Sequence, residues 1–477
     1  MLVSLLFDTE DYTSPEALGM DDICGWLARI MTEEGVTGTF LVIPQKARAL
    51  ADRGRTDVIA AMRDHEIGLH TGRGSEHPTV VECLEGCGWD DGVERAFAIE
   101  RAGIETLESV FETRITACSR HGASWAPQFV AACGKLDRPV VYSHAAPPSV
   151  GVGWYAGTLN LRPWIEVLER DYSEPGRLEP RLESLDQRLT EAAEREPWIG
   201  VFGGHPAMFK AKQFWDSLNY VDGTNRPRPN WRAPDCRSDE EMDRAREGFR
   251  TLVRFVRDHP STEMAPVAEL ARRMRGRRDS VPRAELVDLA QKALDTGAED
   301  VFGYTILCDE TLSPAQQVVG FARALMAPDA DTLPMDEPLG PVESPLRGTG
   351  GDLAWSDLRE IAVALDHAAR SDGRLPGNLT AGRRTIGLGG AYFALAAALG
   401  KSGDTNLGFV SPDFPDSPPE FPYFAPQYPS YGNRIANAFA NDVVGWPIHK
   451  PHIDLDEMVR LTRLMAWTLR RPAVLTR

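Results

Sequence analysis

The sequence predicts an α/β protein in which a parallel sheet, closed or partly closed into a barrel, is followed by a smaller, mainly helical domain. Two observations carry this. Over about the first 270 residues, short apolar runs alternate with stretches of helical periodicity, the pattern of parallel strands joined by crossover helices. After Arg278 the texture changes to Ala- and Leu-rich helices with proline-rich joints. A third observation concerns chemistry: unusual polar groups stand at the ends of the predicted strands, where barrels of this kind place catalytic groups.

Leu2 to Phe7 is an apolar run that ends on the acidic cluster Asp8-Thr9-Glu10-Asp11, which suits a buried parallel strand leading into a functional loop. A helix is expected from Asp21 to Glu34, a strand from Gly38 to Ile43, and a helix from Arg55 to Asp64. A strand at Glu66 to Leu69, a long helix from Gly92 to Glu112 and a strand at Thr113 to Cys118 follow, with further strands at Pro139 to Ser143 and Trp198 to Gly203. These elements define a first domain, residues 1–278. Residues 279–401 form a helical domain with two related units, opened by Leu286-Val-Asp-Leu-Ala-Gln-Lys-Ala-Leu and Leu358-Arg-Glu-Ile-Ala-Val-Ala-Leu-Asp. The units close on second helices, Leu312 to Leu325 and Ile386 to Leu399. Val318, Phe321 and Leu325 precede Tyr392, Leu395 and Leu399 by 74 residues, so a duplicated two-helix module is expected. In the tail, residues 402–477, the proline- and aromatic-rich stretch from Pro412 to Tyr431 predicts an ordered strap, and a final helix runs from Leu455 to Arg470.

The formal charge is -18, with 70 acids against 52 Lys plus Arg, which repels a phosphate backbone and argues against nucleic acid as a partner. The basic run Arg272, Arg273, Arg275, Arg277 and Arg278 reads as a solvated helix end. The N-terminus has no basic region and carries acids where a cleavage site would lie, so it reads as a strand and not a signal peptide. With no uninterrupted apolar stretch of membrane-spanning length, a cytoplasmic location is expected. Seven scattered cysteines, with Cys83 and Cys87 the one close pair, suit reduced structural thiols better than a disulfide framework.

Asp8, Glu10 and Asp11 follow the first strand, His70 and His77 the third, Arg120 and His121 a later one, and Gly203-Gly204-His205-Pro206 ends the strand from Ile199 to Phe202. Two histidines and a carboxylate make a three-ligand site for a catalytic divalent ion. A second carboxylate nearby suits the base that deprotonates a water whose acidity the ion raises. His205 suits a proton donor to the leaving group, if it lies across the site from that base. Arg120 suits a bidentate contact that holds the base ionised. His121 and Trp125 are expected to line the substrate, whereas Cys118, His65, His144 and His259 are expected to be structural.

The stretches Phe7-Asp8-Thr9-Glu10-Asp11, Gly38-Thr39-Phe40 and Glu66-Ile67-Gly68-Leu69-His70-Thr71 resemble carbohydrate esterase family 4, the polysaccharide deacetylases, over about residues 1 to 275. The resemblance implies a distorted (β/α)7 barrel and hydrolysis of an N-acetyl or O-acetyl group on a sugar. It also implies one divalent ion, zinc before cobalt, nickel or manganese. Carried over, Asp8 is the base, Glu10 or Asp11 the carboxylate ligand, and His70 and His77 the imidazole ligands. Arg120 matches the family's motif arginine, and His205 the late histidine that acts as acid. Two departures stand in the motifs themselves. The family's adjacent aspartates are separated here by Thr9 and Glu10, and its second histidine, four residues after the first, is replaced by Gly74. His77 would then reach the ion through a longer loop, Gly72 to Glu76.

Trp355 to Leu399 resembles pseudomurein-binding repeats, which implies a sugar-polymer anchor; packing or self-association into a homo-oligomer is the alternative. The expected partner is an acetylated sugar or a related small molecule, and the apparent lack of a leader makes an intracellular sugar conjugate the expected substrate. Two other functions remain open at this level. One is hydrolysis of a non-sugar amide, as in allantoinase-like relatives; the other is a catalytically impaired carbohydrate-binding protein.

Overall fold

The computed structural model describes residues 1–122, 124–143, 145, 151–163, 169–193, 196–221, 224–274, 278–296, 312–346, 353–400, 409–410, 454 and 456–470. The strap predicted at Pro412 to Tyr431, His144 and Cys308 lie outside these residues. The chain divides into two compact units. One is built on Met1–Gly153 and Thr158–Met274 and also takes Gly432–Glu457; the other is built on Arg275–Tyr431 and Met458–Arg477 and also takes Trp154–Gly157.

The first unit is organised by β1 (Leu2–Thr9), an eight-residue strand buried along its whole length. A strand buried on both faces needs a near-continuous apolar run, and Leu2 to Phe7 supplies it. Its one polar exception, Ser4, donates to Ala265 O at 2.7 Å and accepts from Trp198 Nε1 at 3.0 Å. The sheet continues through β2 (Thr39–Val42), β3 (Glu66–Leu69), β4 (Cys118–Ser119), β5 (Val140–Val141), β6 (Val152–Tyr155) and β7 (Thr158–Leu161). The last two members of the sheet are β8 (Trp198–Gly204) and a short strand, Glu263–Met264. In space the order is Glu263–Met264, β1, β2, β3, β4, β5, β7, β6, with β8 also paired to β1. The ladders from Glu263–Met264 through β7, and that between β1 and β8, run parallel.

Among the described residues no ladder joins β8 to the β7 and β6 end. The structure therefore shows a parallel-stranded α/β sheet, and the closed seven-stranded ring is not seen as a hydrogen-bonded barrel. The two ends do approach: a Cβ placed on Gly200 of β8 would stand 2.7 Å from the Cβ of Pro163, just past β7. The predicted strands at 2–7, 38–43, 66–69, 139–143 and 198–203 all have counterparts, whereas Thr113 to Cys118 contributes only its end. The hairpin β6–β7 and Glu263–Met264 were not anticipated, because strands of two to four residues carry too few alternations to register as a pattern.

Helices α1 (Asp21–Glu33), α2 (Pro44–Asp52), α3 (Thr56–Arg63), α4 (Val80–Cys83), α5 (Trp89–Phe111) and α6 (Pro127–Lys135) connect the first strands. The helix Asp239–Asp258 starts on a reciprocal capping box between Ser238 and Glu241, which satisfies two otherwise orphaned amides. Its Phe249 meets Phe7 and Trp26 at ring-centroid distances of 5.7 and 6.0 Å, so the core is continuous from β1 to the outer helices. Of the basic run, the described arginines pair locally: Arg272 and Arg273 with Glu269, and Arg278 with Glu285. The six described cysteines are free thiols.

In the second unit, helices Arg283–Thr296, Pro314–Met326, Trp355–His367 and Leu388–Gly400 are accompanied by two-stranded antiparallel ladders. The helix that opens each sequence unit packs against the helix that closes the other. Arg283–Thr296 meets Leu388–Gly400, and Pro314–Met326 meets Trp355–His367. Leu388 to Leu399 is buried all round, and Tyr392 donates its hydroxyl to Gln317 Oε1 at 2.6 Å. The last described helix, Asp456–Met465, runs into a short 3-10 turn at Ala466–Thr468. No helix of the described residues is long and apolar enough to cross a membrane.

One group in the first unit is costly and testable. Glu100 of α5 is fully buried, and its carboxyl accepts the Gly72 amide at 3.1 and 3.2 Å. Burial pushes this carboxyl up to about 8, with the amide opposing. The folded chain thus binds a proton that the unfolded chain, with an ordinary value of 4.5, releases. Stability from this group is complete below about 4.5 and is lost as pH rises toward 8. Urea melts across that window should show wild-type stability falling more steeply than that of Glu100→Gln. Parallel curves would show that Glu100 is not held neutral.

Candidate active site

The C-terminal ends of β1, β3, β4, β5 and β8 converge on one polar cluster. Successive side chains of a strand point to opposite faces, so Asp8 and Glu10, two apart, face the same way while Asp11 does not. His70 directly follows β3, tied by its amide to Val42 O at 3.0 Å. Ser119 ends β4, and His121, two residues on, lies on the same side. His205 follows β8, where the Gly203-Gly204 pair lets the backbone pass: a Cβ on Gly203 would stand 2.3 Å from the Phe7 ring, and Gly204 adopts φ +125°.

Glu10 is the hub. Its Oε1 lies 2.9 Å from His70 Nε2 and its Oε2 lies 3.2 Å from His121 Nε2, all three residues being buried. His70 Nδ1 lies 2.6 Å from Ser119 Oγ, and that hydroxyl donates to Leu69 O at 3.3 Å. Ser119 must then accept from His70 Nδ1–H, which leaves His70 Nε2 directed at Glu10. Two acceptors 2.9 Å apart require a cation between them, a proton or a metal ion. His121 lies beside Asp216 Oδ2 at 3.6 Å and Ser75 Oγ at 3.2 Å, and Ser75 donates to Asp216 at 2.8 Å.

Beside this hub sits a second group. Asp8 Oδ2 is 3.8 Å from both His70 Nε2 and His205 Nε2, and Asp8 Oδ1 is buried without a hydrogen-bond partner. His205 Nδ1 meets Glu169 Oε1 at 2.5 Å, and the same oxygen accepts the His205 amide. Glu10, His70 and His121 bring ligand atoms within 4.8 Å of one another, as do Asp8, Glu10 and His205. The donor set of the first group, one carboxylate and two imidazoles with a hydrogen-bonded second shell, fits a divalent transition ion.

The electrostatics divide the two carboxylates. Burial raises the Asp8 carboxyl above its usual range, with His70 and His205 opposing. Burial would raise Glu10 too, but the charge of His121 and the hydrogen bonds from His121 and His70 outweigh it, leaving Glu10 well below the usual range. Burial disfavours the charged form of His121 and His205, yet Glu10 lifts His121 to about 9 and Glu169 lifts His205 to about 9. The site holds an anionic Glu10, a basic Asp8 and a protonated His205.

The structure brings Asp8, Glu10, His70, His121 and His205 together and places the other four predicted residues, Asp11, His77, Trp125 and Arg120, in other contacts. Asp11 turns back as a local cap, its Oδ1 accepting from the amides of Thr13 and Ser14 and its Oδ2 from Ser14 Oγ at 2.6 Å. His77 lies outside the cluster: its Nδ1 meets Glu82 Oε2 at 2.9 Å and its amide donates to Asn225. Where a second histidine was missed from the motif, Gly74 has φ +54°, and its Cβ would crowd Ile43 at 3.1 Å, so a histidine there would be strained. Trp125 is fully buried with its indole donating to Ser143 Oγ at 3.1 Å. Arg120 donates Nε to Tyr142 O at 2.6 Å, anchoring the loop after β5.

Sequence reading missed Glu169, Asp216, Ser119, Ser75 and Tyr142. Glu169 lies 36 residues before His205, and Asp216 is positioned by Trp215, which packs in a cluster with Tyr12, Ile43 and Tyr220; no local pattern marks either. Ser119 was detectable, because it stands two residues before His121 at a predicted strand end.

No protein-family model matches the chain, the helical repeats included, and no curated protein matches it. Among solved structures, the chain is similar to Puue allantoinase at 11% identity and a TM-score of 0.36, covering 57% of this chain and 89% of that one. It is similar to a family 4 acetyl xylan esterase from Clostridium thermocellum, solved with a cobalt ion, at 13% identity and 0.30, covering 57% and 90%. A CE4 family pseudoenzyme from Bacillus anthracis gives 10% identity and 0.30, covering 57% and 65%.

The Glu169 contact makes a direct prediction. With Glu169→Gln, the His205 ring should titrate well below its value of about 9, because burial is then no longer opposed by a carboxylate. Histidine ring resonances followed by NMR would show this, and an unmoved titration would remove Glu169 as the cause.

Proposed function

We propose that this chain is a divalent-metal-dependent hydrolase that removes an acetyl group from an N-acetylated or O-acetylated sugar or sugar conjugate. The observation that carries the hydrolase reading is the buried Glu10 carboxylate set between the Nε2 atoms of His70 and His121, with Asp8 and His205 beside it. The sugar and the acetyl group come from the resemblance of the Phe7–Asp11, Gly38–Phe40 and Glu66–Thr71 motifs to the polysaccharide deacetylases. In this reading Glu10, His70 and His121 hold the ion, and Asp11 and His77 do not.

A bound divalent ion would supply Lewis acidity toward water and toward a carbonyl oxygen. Asp8, whose carboxyl burial makes more basic than usual, takes a proton from the attacking water. His205 carries a proton at neutral pH because Glu169 holds it, and its Nε2 faces Asp8 across 3.8 Å. It gives that proton to the departing nitrogen or oxygen. Glu10 remains anionic throughout, since two imidazoles face it.

Ser119 keeps the His70 ring in the orientation that directs Nε2 at Glu10, the kind of outer contact that metal sites depend on. Ser75 and Asp216 do the same for His121.

Purified protein should contain about one equivalent of zinc, cobalt, nickel or manganese by elemental analysis. His121→Ala should weaken divalent-ion binding at least tenfold, while His77→Ala binds as wild type does; metal-free wild type, or the reverse order of the two variants, overturns the ligand assignment. Acetate should be released from N-acetylglucosamine oligomers or conjugates. Activity confined to ureides or formamides would replace the sugar reading with a non-sugar amide hydrolase, and ligand binding without turnover would leave a carbohydrate-binding protein.

A further inference from the structure

We propose that Tyr142 is a further catalytic residue of this site, its phenol donating a hydrogen bond to the carbonyl oxygen of the acyl group as negative charge builds there. The role rests on the hydrolase reading and adds to it a donor that belongs to none of the metal-ligand, base or acid groups.

Tyr142 stands immediately after β5, at the same end of the sheet as the other site residues. Its ring meets His70 edge-on at 6.3 Å and Phe202 at 6.3 Å. Its hydroxyl is buried and faces the Asp8 carboxylate, with which it interacts, but neither that hydroxyl nor Asp8 Oδ1 completes a hydrogen bond of good geometry. Buried hydroxyls are nearly always bonded, so a donor that faces Asp8 without completing a bond is open to a ligand oxygen that enters beside that carboxylate. Burial together with the nearby Asp8 keeps the phenol protonated, as a donor must be.

The backbone is built to hold it. Tyr142 adopts φ +59°, a left-handed conformation that a side-chain-bearing residue seldom takes. The turn is fixed by Arg120, whose Nε donates to Tyr142 O at 2.6 Å and whose amide donates to Val141 O at 3.3 Å. An extended residue at 142 would send its side chain elsewhere.

In the step, water oxygen bonds to the carbonyl carbon and gives a proton to Asp8, while the C=O π pair moves onto oxygen. Tyr142 donates a hydrogen bond to that oxygen without transferring its proton. When the C=O bond reforms, the carbon–nitrogen or carbon–oxygen bond breaks and His205 protonates the leaving atom. Donors of this kind act on the developing charge and little on ground-state binding.

The test is Tyr142→Phe in the full chain, loaded with metal, on N-acetylated chitooligosaccharide and on p-nitrophenyl acetate. Nitrophenolate leaves without protonation, so a loss on the ester cannot come from the acid. The expected result is a fall in kcat of about 10²- to 10³-fold on both substrates, with KM within about twofold and metal content unchanged. Fluorotyrosines at 142 keep the ring and guard against misfolding; kcat should vary with their phenol acidity. A kcat within about threefold of wild type, a loss confined to KM, or a flat fluorotyrosine response overturns the role. So does a displaced acidic limb of the pH profile, which would make Tyr142 a positioning residue for Asp8. Wild type inactive on both substrates fails the hydrolase reading itself, a result distinct from an active enzyme indifferent to Tyr142.

Discussion

A carboxylate cannot stay ionised in a protein interior unless positive charge meets it, and Glu10 is the place where this chain meets that requirement. Both of its oxygens face imidazole nitrogens. The imidazoles are in turn fixed by Ser119 on one side and by Ser75 and Asp216 on the other. Four segments far apart in sequence are thus bound to one another by the need to neutralise one buried anion. Asp8, two residues earlier, has its imidazoles farther off, at 3.8 Å, and the difference in surroundings leaves Glu10 well below the usual carboxylate range and Asp8 above it.

Holding these groups at the ends of parallel strands requires an unusual backbone. Thr71 and Tyr142 both take left-handed φ values, at a cost on the order of 1–3 kcal/mol each. Thr71 is fixed within its own loop, its Oγ1 accepting the Gly74 amide at 3.0 Å, and the Tyr142 carbonyl is held by Arg120 from the neighbouring strand end. Gly74 and the Gly203-Gly204 pair serve the same end by leaving out side chains that would collide with Ile43 and Phe7. The strained residues adjoin His70 and Asp8, where a fixed direction for the side chain matters most.

Much of the first unit was legible because its strands are long enough to show an apolar run and its helices long enough to show periodicity. β1, β2, β3, β8, α1, α3 and α5 all fall where those patterns place them. The short strands β6 and β7 and Glu263–Met264 were not, since pairing partners and not local composition make them strands. At the site, Asp8, His70 and His205 were legible as polar groups ending apolar runs. That Glu10 shares the side of Asp8 while Asp11 turns away was decidable in principle from the two-residue period of a strand. His121 was assigned to substrate and His77 to metal because sequence distance favours the histidine nearer His70, whereas space favours the one on the neighbouring strand.

What the sequence by itself determined was the alternation of strands and helices, the clustering of acids and histidines at strand ends, and the absence of the second motif histidine at Gly74. These are one-dimensional features, carried by side-chain type and spacing. Only the tertiary structure decided that His121 faces Glu10 while His77 turns to Glu82, that Glu169 holds His205, and that Asp216 and Tyr142 reach the site at all. The physical reason is that a parallel sheet sets side by side strands separated by tens of residues, and charge is neutralised between neighbours in space, whatever their separation along the chain.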